Sequence, residues 1–239
     1  MDTIKINKGK ARLIAHRGLS GIECENTCAA FVAAGNRSYF GIETDVHVTA
    51  DKHFVIIHDD NTERISGVSI DVERSTYEEL SALRLFDKQT VTPRSDLCIP
   101  TLDEYIHICK RYGKCAVLEL KNTMDTDDVA AIVDTVKALG YGEETVFISF
   151  SAQNCIALRT LFPTASIQKL TTEWNDEVSA LLETYDLDLD ILHKRATREL
   201  VELIHARGRK INVWTVDEPA RAEELISMGV DYVTTNILE

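Results

Sequence analysis

The chain reads as an α/β protein built as a closed (β/α)8 barrel with a short inserted subdomain after its second strand. Three observations point to this. Eight short apolar runs alternate with helical patterns once one extra strand is set aside as a hairpin arm. The length, 239 residues, suits one large core and lies within the range of a single barrel. Titratable residues also gather at the C-terminal ends of several apolar runs, where ionised groups are costly unless they meet one another, a metal or a ligand.

Taken in order, Leu13-Ile14-Ala15 is the first strand and leads through a loop into a helix around Cys28–Ala34. Phe40–Val48 is the second, and Phe54–His58 follows so closely that it pairs with it as a hairpin. The stretch from about 61 to 100 is longer and more polar than an ordinary strand-to-helix connection, and reads as a loop-and-helix excursion over one end of the barrel. Thr76-Tyr77-Glu78-Glu79 and Thr101-Leu102-Asp103-Glu104 are capping boxes that open short helices. Strands follow at Ala116–Leu120, Thr145–Phe150, Ser166–Lys169, Leu189–Leu192, Ile211–Val216 and Asp231–Thr234. Helical patterns fill Asp127–Leu139, Ala152–Leu161, Glu177–Tyr185, Glu199–Arg207 and Ala220–Met228, and Gly140, Gly208 and Gly229 stand where left-handed caps are expected. No internal repeat or low-complexity linker divides the chain, so residues 1–239 read as one catalytic domain.

Twenty-six Lys and Arg against thirty-nine Asp and Glu give a formal charge of −13, which opposes nucleic acid and anionic lipid as partners. A small phosphorylated ligand is still compatible, because a divalent ion and a few local cations reverse the field within a pocket. The six cysteines form no close CxxC pair and read mostly as small buried hydrophobes. Neither a signal peptide at Met1-Asp2-Thr3-Ile4-Lys5 nor a membrane-length apolar stretch is visible, so a cytoplasmic setting is expected. A monomer and a homodimer are equally compatible with the sequence.

Glu43 and Asp45, two apart on one strand, face the same side, and Glu119 ends another strand. Such hard oxygen ligands suit Mg²⁺ or Ca²⁺ better than zinc. Any one of these acids could instead cap an amide or pair with Arg17 or Lys121. His16 and His58 each follow an apolar run and can carry protons near neutrality. Arg17 is suited to phosphate oxygens and Lys121 to a developing negative charge, while Gly18 permits a sharp turn after His16. Glu25-Asn26-Thr27 is either a plain helix cap or a group that orients ligand or metal. His47 and His53, around the hairpin turn, are expected to be solvent-exposed; His193, Glu173 and Trp174 are open.

The ordered set Ala15-His16-Arg17-Gly18, Glu25-Asn26-Thr27, Glu43-Thr44-Asp45 and His58-Asp59-Asp60 resembles the glycerophosphodiester phosphodiesterase family. Ile99-Pro100-Thr101-Leu102, Leu118–Lys121, Ile148-Ser149-Phe150, Asn212–Val216, Gly229-Val230-Asp231 and Thr234-Thr235-Asn236 extend the likeness from about residue 12 to the end. HRG alone would be weak; the ordered set is specific. Two departures stand out. Cys24 occupies a place where many relatives have proline, and the proline often found near the end is absent.

The resemblance implies a TIM barrel and metal-dependent hydrolysis of glycerophosphodiesters to glycerol 3-phosphate and an alcohol. By position, it implies Glu43, Asp45 and Glu119 as ligands of one divalent cation, and His16 and His58 as general acid and base. It places Arg17 and Lys121 on the phosphate, Glu25 and Asn26 around metal and substrate, and Trp214 against the glycerol end. The expected chemistry is attack by the glycerol 2-hydroxyl, with one histidine taking its proton and the other protonating the leaving alcohol; water then opens the cyclic phosphate. Direct attack by water is the other route. Two further readings keep the fold: a lysophospholipid as substrate, or a catalytically silent sugar-phosphate binding module. The intact His16, His58 and carboxylate set argues against the second.

Overall fold

The structure, a computed structural model, describes residues 2–239. Met1, the first residue of the N-terminal stretch Met1–Lys5, lies outside the described residues.

Nine strands and nine α-helices are found among the described residues. In chain order they are β1 (Arg12–Ala15), α1 (Cys28–Gly35), β2 (Gly41–Val48), β3 (Phe54–Ile56), α2 (Glu63–Ser66), α3 (Tyr77–Ser81), α4 (Leu102–Tyr112), β4 (Cys115–Leu120) and α5 (Thr126–Ala138). They continue with β5 (Thr145–Ser149), α6 (Ala152–Leu161), β6 (Ser166–Thr171), α7 (Asp176–Tyr185), β7 (Asp188–Leu192), α8 (Arg198–Ala206), β8 (Ile211–Trp214), α9 (Pro219–Met228) and β9 (Tyr232–Thr235). Eight strands form a parallel ring, in the order β1, β2, β4 to β9, closed by the pairing of β1 with both β2 and β9. β3 lies outside the ring, antiparallel on the upper end of β2, with Val46 opposite Ile56 and Val48 opposite Phe54. The expected (β/α)8 barrel and its hairpin arm are therefore both present.

Alternation along each strand separates two apolar layers. Leu13, Ile42, Leu118, Phe147 and Val213 point outward into the large core beneath the helices. Ile14, Val117, Ile148, Leu170 and Tyr232 fill the barrel interior. Each such side chain, fully removed from water, contributes roughly 1.5–3 kcal/mol. The helices start and stop where local chemistry dictates. Thr76 with Glu79, and Thr101 with Glu104, form reciprocal capping boxes. Gly140, Gly208 and Gly229 have positive φ just beyond α5, α8 and α9.

The segment between β3 and α4 carries α2 and α3 over its own apolar cluster, including Ile65, Val72, Leu80, Leu85 and Leu97. Cys24 from the loop after β1 and Val55 from β3 belong to that cluster, so the segment is packed onto the site end of the barrel. β3 ends at Ile56 rather than His58, because the chain leaves β2 to enter this segment. His47 departs from expectation. It is 0% exposed, with Nδ1 2.9 Å from Glu73 Oε1 of the inserted segment, which covers the end of β2 that the sequence suggested was open. No helix of the described residues is long and apolar enough to cross a membrane.

Candidate active site

The ring places the acids. Asp45 lies directly opposite Glu119 across β2 and β4, and Glu43 sits one pleat below Asp45 on the same face. One ligand atom from each of Glu43, Asp45 and Glu119 lies within 4.8 Å of the others, and all three residues are buried. Three carboxylates so close cannot all stay ionised unaided. Burial, then the charges of Asp45 and Glu119, raise the Glu43 pKa well above the ordinary carboxylate range. Burial and Asp45 also raise Glu119. Burial alone would raise Asp45 too, but Lys121 and Arg17 outweigh it and hold that carboxyl low. A compact set of hard oxygen donors whose own repulsion opposes ionisation fits a divalent cation, which would let all three ionise together.

Arg17 and Lys121 border the cluster. Lys121 Nζ is 3.1 Å from Glu119 Oε1 and 3.5 Å from Asp45 Oδ1. Arg17 Nε is 3.6 Å from Asp45 Oδ2, while its backbone N–H donates to Glu43 Oε2 at 2.7 Å. That amide is presented by a tight turn in which Arg17 and Gly18 both have positive φ. A Cβ on Gly18 would come within 2.7 Å of the Ala30 carbonyl carbon, so only glycine lets the turn pack on α1.

Asn26 and Glu25 hold the acids and Arg17 in place. Asn26 Nδ2 donates to Asp45 Oδ2 at 2.7 Å, and its own Oδ1 accepts from Thr44 Oγ1. Glu25 accepts from Arg17 Nη1 at 2.8 Å and from both terminal nitrogens of Arg64. Arg64, on α2, also donates to Asp59, which accepts from His58 Nδ1 at 2.7 Å. A continuous line of charge thus runs from Arg17 through Glu25, Arg64 and Asp59 to His58.

The two histidines have different backing. His16 Nδ1 is 2.8 Å from Asn236 Oδ1, and Asn236 Nδ2 donates to Asp217 Oδ2 at 2.6 Å. A carboxylate accepts only, so the amide is oriented with its oxygen toward His16, and Nδ1 carries the proton. His16 Nε2 then faces the cluster, 4.0 Å from Glu43 Oε2. Burial, helped by the Arg17 charge, lowers the His16 pKa to about 4. Burial lowers His58 as well, against the opposing charge of Asp45.

Beside the cluster is a small cavity of about 60 Å³, with Ile148, Leu170 and Trp214 among its lining residues. Trp214 meets Phe150 edge to face at 5.6 Å. Asp190 also lines it, and burial together with the Glu119 charge raises its carboxyl well above the ordinary range. A wider groove of about 640 Å³ opens from His16 and Arg17 past Lys88 and Ile237.

All ten residues singled out by sequence, Arg17, His16, Glu25, Asn26, Glu43, Asp45, His58, Glu119, Lys121 and Trp214, lie in or directly behind this end of the barrel. Sequence reasoning passed over Asp217, Asn236 as a histidine partner, Arg64 and Asp190. For Asp190 a signal existed, an acid in the middle of an apolar strand.

Comparison with known proteins agrees with this geometry. The model of the glycerophosphoryl diester phosphodiesterase family matches residues 16–239. The protein YhdW of Bacillus subtilis (strain 168) is 30% identical over 231 residues, covering 94% of this chain and 93% of that protein. A glycerophosphodiester phosphodiesterase of Caldanaerobacter subterraneus subsp. tengcongensis is 29% identical over 237 residues, covering 95% and 94%. Among solved structures, a phosphodiesterase of Oleispira antarctica in complex with its product sn-glycerol-3-phosphate superimposes with a TM-score of 0.87 at 27% identity, covering 94% of this chain and 92% of that one. With this family match over nearly its whole length and a buried carboxylate site able to hold a divalent cation, the chain belongs to the glycerophosphoryl diester phosphodiesterase family and is a phosphodiesterase.

Proposed function

We propose that the protein releases glycerol 3-phosphate from glycerophosphodiesters, using His16 and His58 as acid and base beside one divalent cation, Mg²⁺ or Ca²⁺. The observation that carries this reading is the convergence of three buried carboxylates, two basic side chains and two histidines at one barrel end. Likeness to the Oleispira antarctica enzyme with its bound product supports the choice of substrate.

Glu43, Asp45 and Glu119 would hold the cation, whose contribution is to draw charge from the phosphate oxygens. Arg17 and Lys121 share that charge from either side of the cluster. With the three acids ionised, these two cations and a divalent ion leave one net positive charge, matched to the single negative charge of a phosphodiester. Asn26 keeps Asp45 aimed at the cluster, and Glu25 keeps Arg17 extended toward it. One histidine accepts the proton of the glycerol 2-hydroxyl and the other donates to the leaving alcohol; the roles reverse when water opens the cyclic ester. Trp214 forms a wall of the small cavity in which the glycerol end sits. Residues 1–239 act as one catalytic unit, with the segment from about 61 to 100 covering part of the mouth. The chemistry of the site calls for a small-molecule substrate rather than a nucleic acid or membrane partner.

The test is an assay of metal-stripped protein for glycerol 3-phosphate release from a panel of glycerophosphodiesters, with and without Mg²⁺ or Ca²⁺. Cation-dependent release is expected. Release only from lysophospholipids, or none from folded protein with either ion, overturns the reading. Full turnover of a 2-deoxyglycerol substrate would rule out the cyclic route.

A further inference from the structure

We propose that Asp190, with Trp214 Nε1 beside it, binds the free terminal hydroxyl of the substrate's glycerol moiety and so selects diesters whose glycerol carries no acyl chain; this rests on the reading above. Three buried polar atoms among the residues lining the small cavity have no hydrogen-bond partner: Arg17 Nε, which still has the Asp45 carboxylate at 3.6 Å, and Asp190 Oδ1 and Trp214 Nε1. Asp190 is only 1% exposed, so water at the surface does not satisfy it. Native interiors leave few such groups, and those they leave call for a missing partner.

Asn212, directly opposite on the next strand, bonds the Asp190 carboxyl but leaves its Oδ1 without a partner. Asn212 is itself shared, its Nδ2 donating to Gln168 Oε1 at 3.3 Å and its Oδ1 accepting from Thr234 Oγ1 at 3.2 Å. Register puts Asp190 opposite Asn212 and Trp214 opposite Leu192. Asp190 and Trp214 therefore stand on adjacent strands, one pleat apart, both lining the cavity. The indole N–H only donates, whereas a carboxyl oxygen accepts. Together they complement a hydroxyl, which does both. Ile148, Leu170 and Phe150 make up the apolar part of the wall and the phosphate-facing groups His16, Arg17, Glu43, His58 and Glu119 another part, so Asp190 and Trp214 are left to orient the glycerol end, as the few polar groups of a ligand pocket commonly do.

With the phosphate at the carboxylate cluster and the 2-hydroxyl at a histidine, the remaining glycerol hydroxyl is the group left for this corner. An acyl ester at that oxygen would remove its proton.

The experiment compares kcat/KM for a glycerophosphodiester and its 1-deoxy analogue, in which propane-1,2-diol replaces glycerol. Wild type is expected to favour the glycerol substrate by at least about tenfold, since a site built to bond a hydroxyl rejects the analogue lacking it. Asp190→Leu is expected to bring that ratio close to one. Asp190→Asn, which keeps an acceptor and gains donors, retains most of it, and Trp214→Phe, which removes only the N–H, lowers it partway. A wild-type ratio near one overturns the proposal without any variant. So does an unchanged ratio in folded Asp190→Leu or, should that variant not fold, in Trp214→Phe. Failure of the underlying reading looks different: wild type then releases no glycerol 3-phosphate from any glycerophosphodiester, with or without added cation.

Discussion

His16 gains its orientation from a residue 220 positions away. Asp217 accepts from the Asn236 backbone N–H at 2.8 Å and from its side-chain amide at 2.6 Å, and Asn236 in turn accepts from His16. With one amide orientation allowed, one tautomer of His16 follows. Asn236→Leu should therefore reduce kcat by about 10–100-fold, as loss of an outer partner of a site histidine commonly does. Little change in KM and a melting temperature close to wild type are expected from steady-state kinetics and calorimetry. Asp217→Leu should do the same through Asn236. Unchanged kcat in both variants would remove the relay from the account of His16. Neither partner is legible as such in the sequence, although Asn236 closes the Thr234-Thr235-Asn236 motif. A histidine at a strand end is visible in sequence, but what lies behind its ring depends on the closure of β1 against β9.

At the scale of elements, two pieces set the site: the turn after β1 and the segment between β3 and α4. Gly18 adopts φ +74 and leaves no space for a side chain against α1. Gly18→Ala should cost more than about 1 kcal/mol, since an incompatible backbone position loses more than the entropy gained. It should also weaken activity, because the same turn presents the Arg17 amide to Glu43; a melting temperature equal to wild type would contradict this. Arg64 makes the complementary case. It is half exposed, yet it joins Glu25 to Asp59. Arg64→Ala should lower kcat well before it lowers thermal stability, and the reverse order, seen by assay and melt on one preparation, would leave Arg64 a purely structural tie. The capping boxes at Thr76 and Thr101 were legible in sequence because they are local, with donor and acceptor three residues apart. The burial of His47 was not, because Glu73 reaches it from the inserted segment.

For the molecule as a whole, the two ends of the barrel are held by different chemistry. The N-terminal segment is tied to the chain after β9 by the Ile4–Leu238 bridge, beside the groove that opens from His16, whereas Glu239 gathers several donors at the other end, just before the start of β2. Its side chain is 5% exposed, with Lys5 Nζ at 2.9 Å and the Ser38 N–H and Thr3 hydroxyl each donating at 2.8 Å. Burial alone would raise this carboxyl, but Lys5, Ser38 and Thr3 outweigh it and bring the pKa from 4.5 down to about 2. A carboxyl lowered on folding stabilises the folded state above its unfolded pKa, and that contribution fades as pH falls toward the folded one. Glu239→Gln should therefore melt below wild type at neutral pH, with the gap closing between about pH 4.5 and 2. A gap independent of pH would show that packing, not charge, makes the difference. Sequence by itself determined the alternation of strands and helices and the acids and histidines at strand ends, because periodicity and capping act over a few residues. Only the tertiary structure decided which groups meet: Asp45 beside Glu119, Asn236 behind His16, Arg64 between Glu25 and Asp59, and Asp190 within the barrel interior. Ring closure and the inserted segment bring together side chains far apart in the chain, and such pairings are written in register and burial rather than in any local pattern.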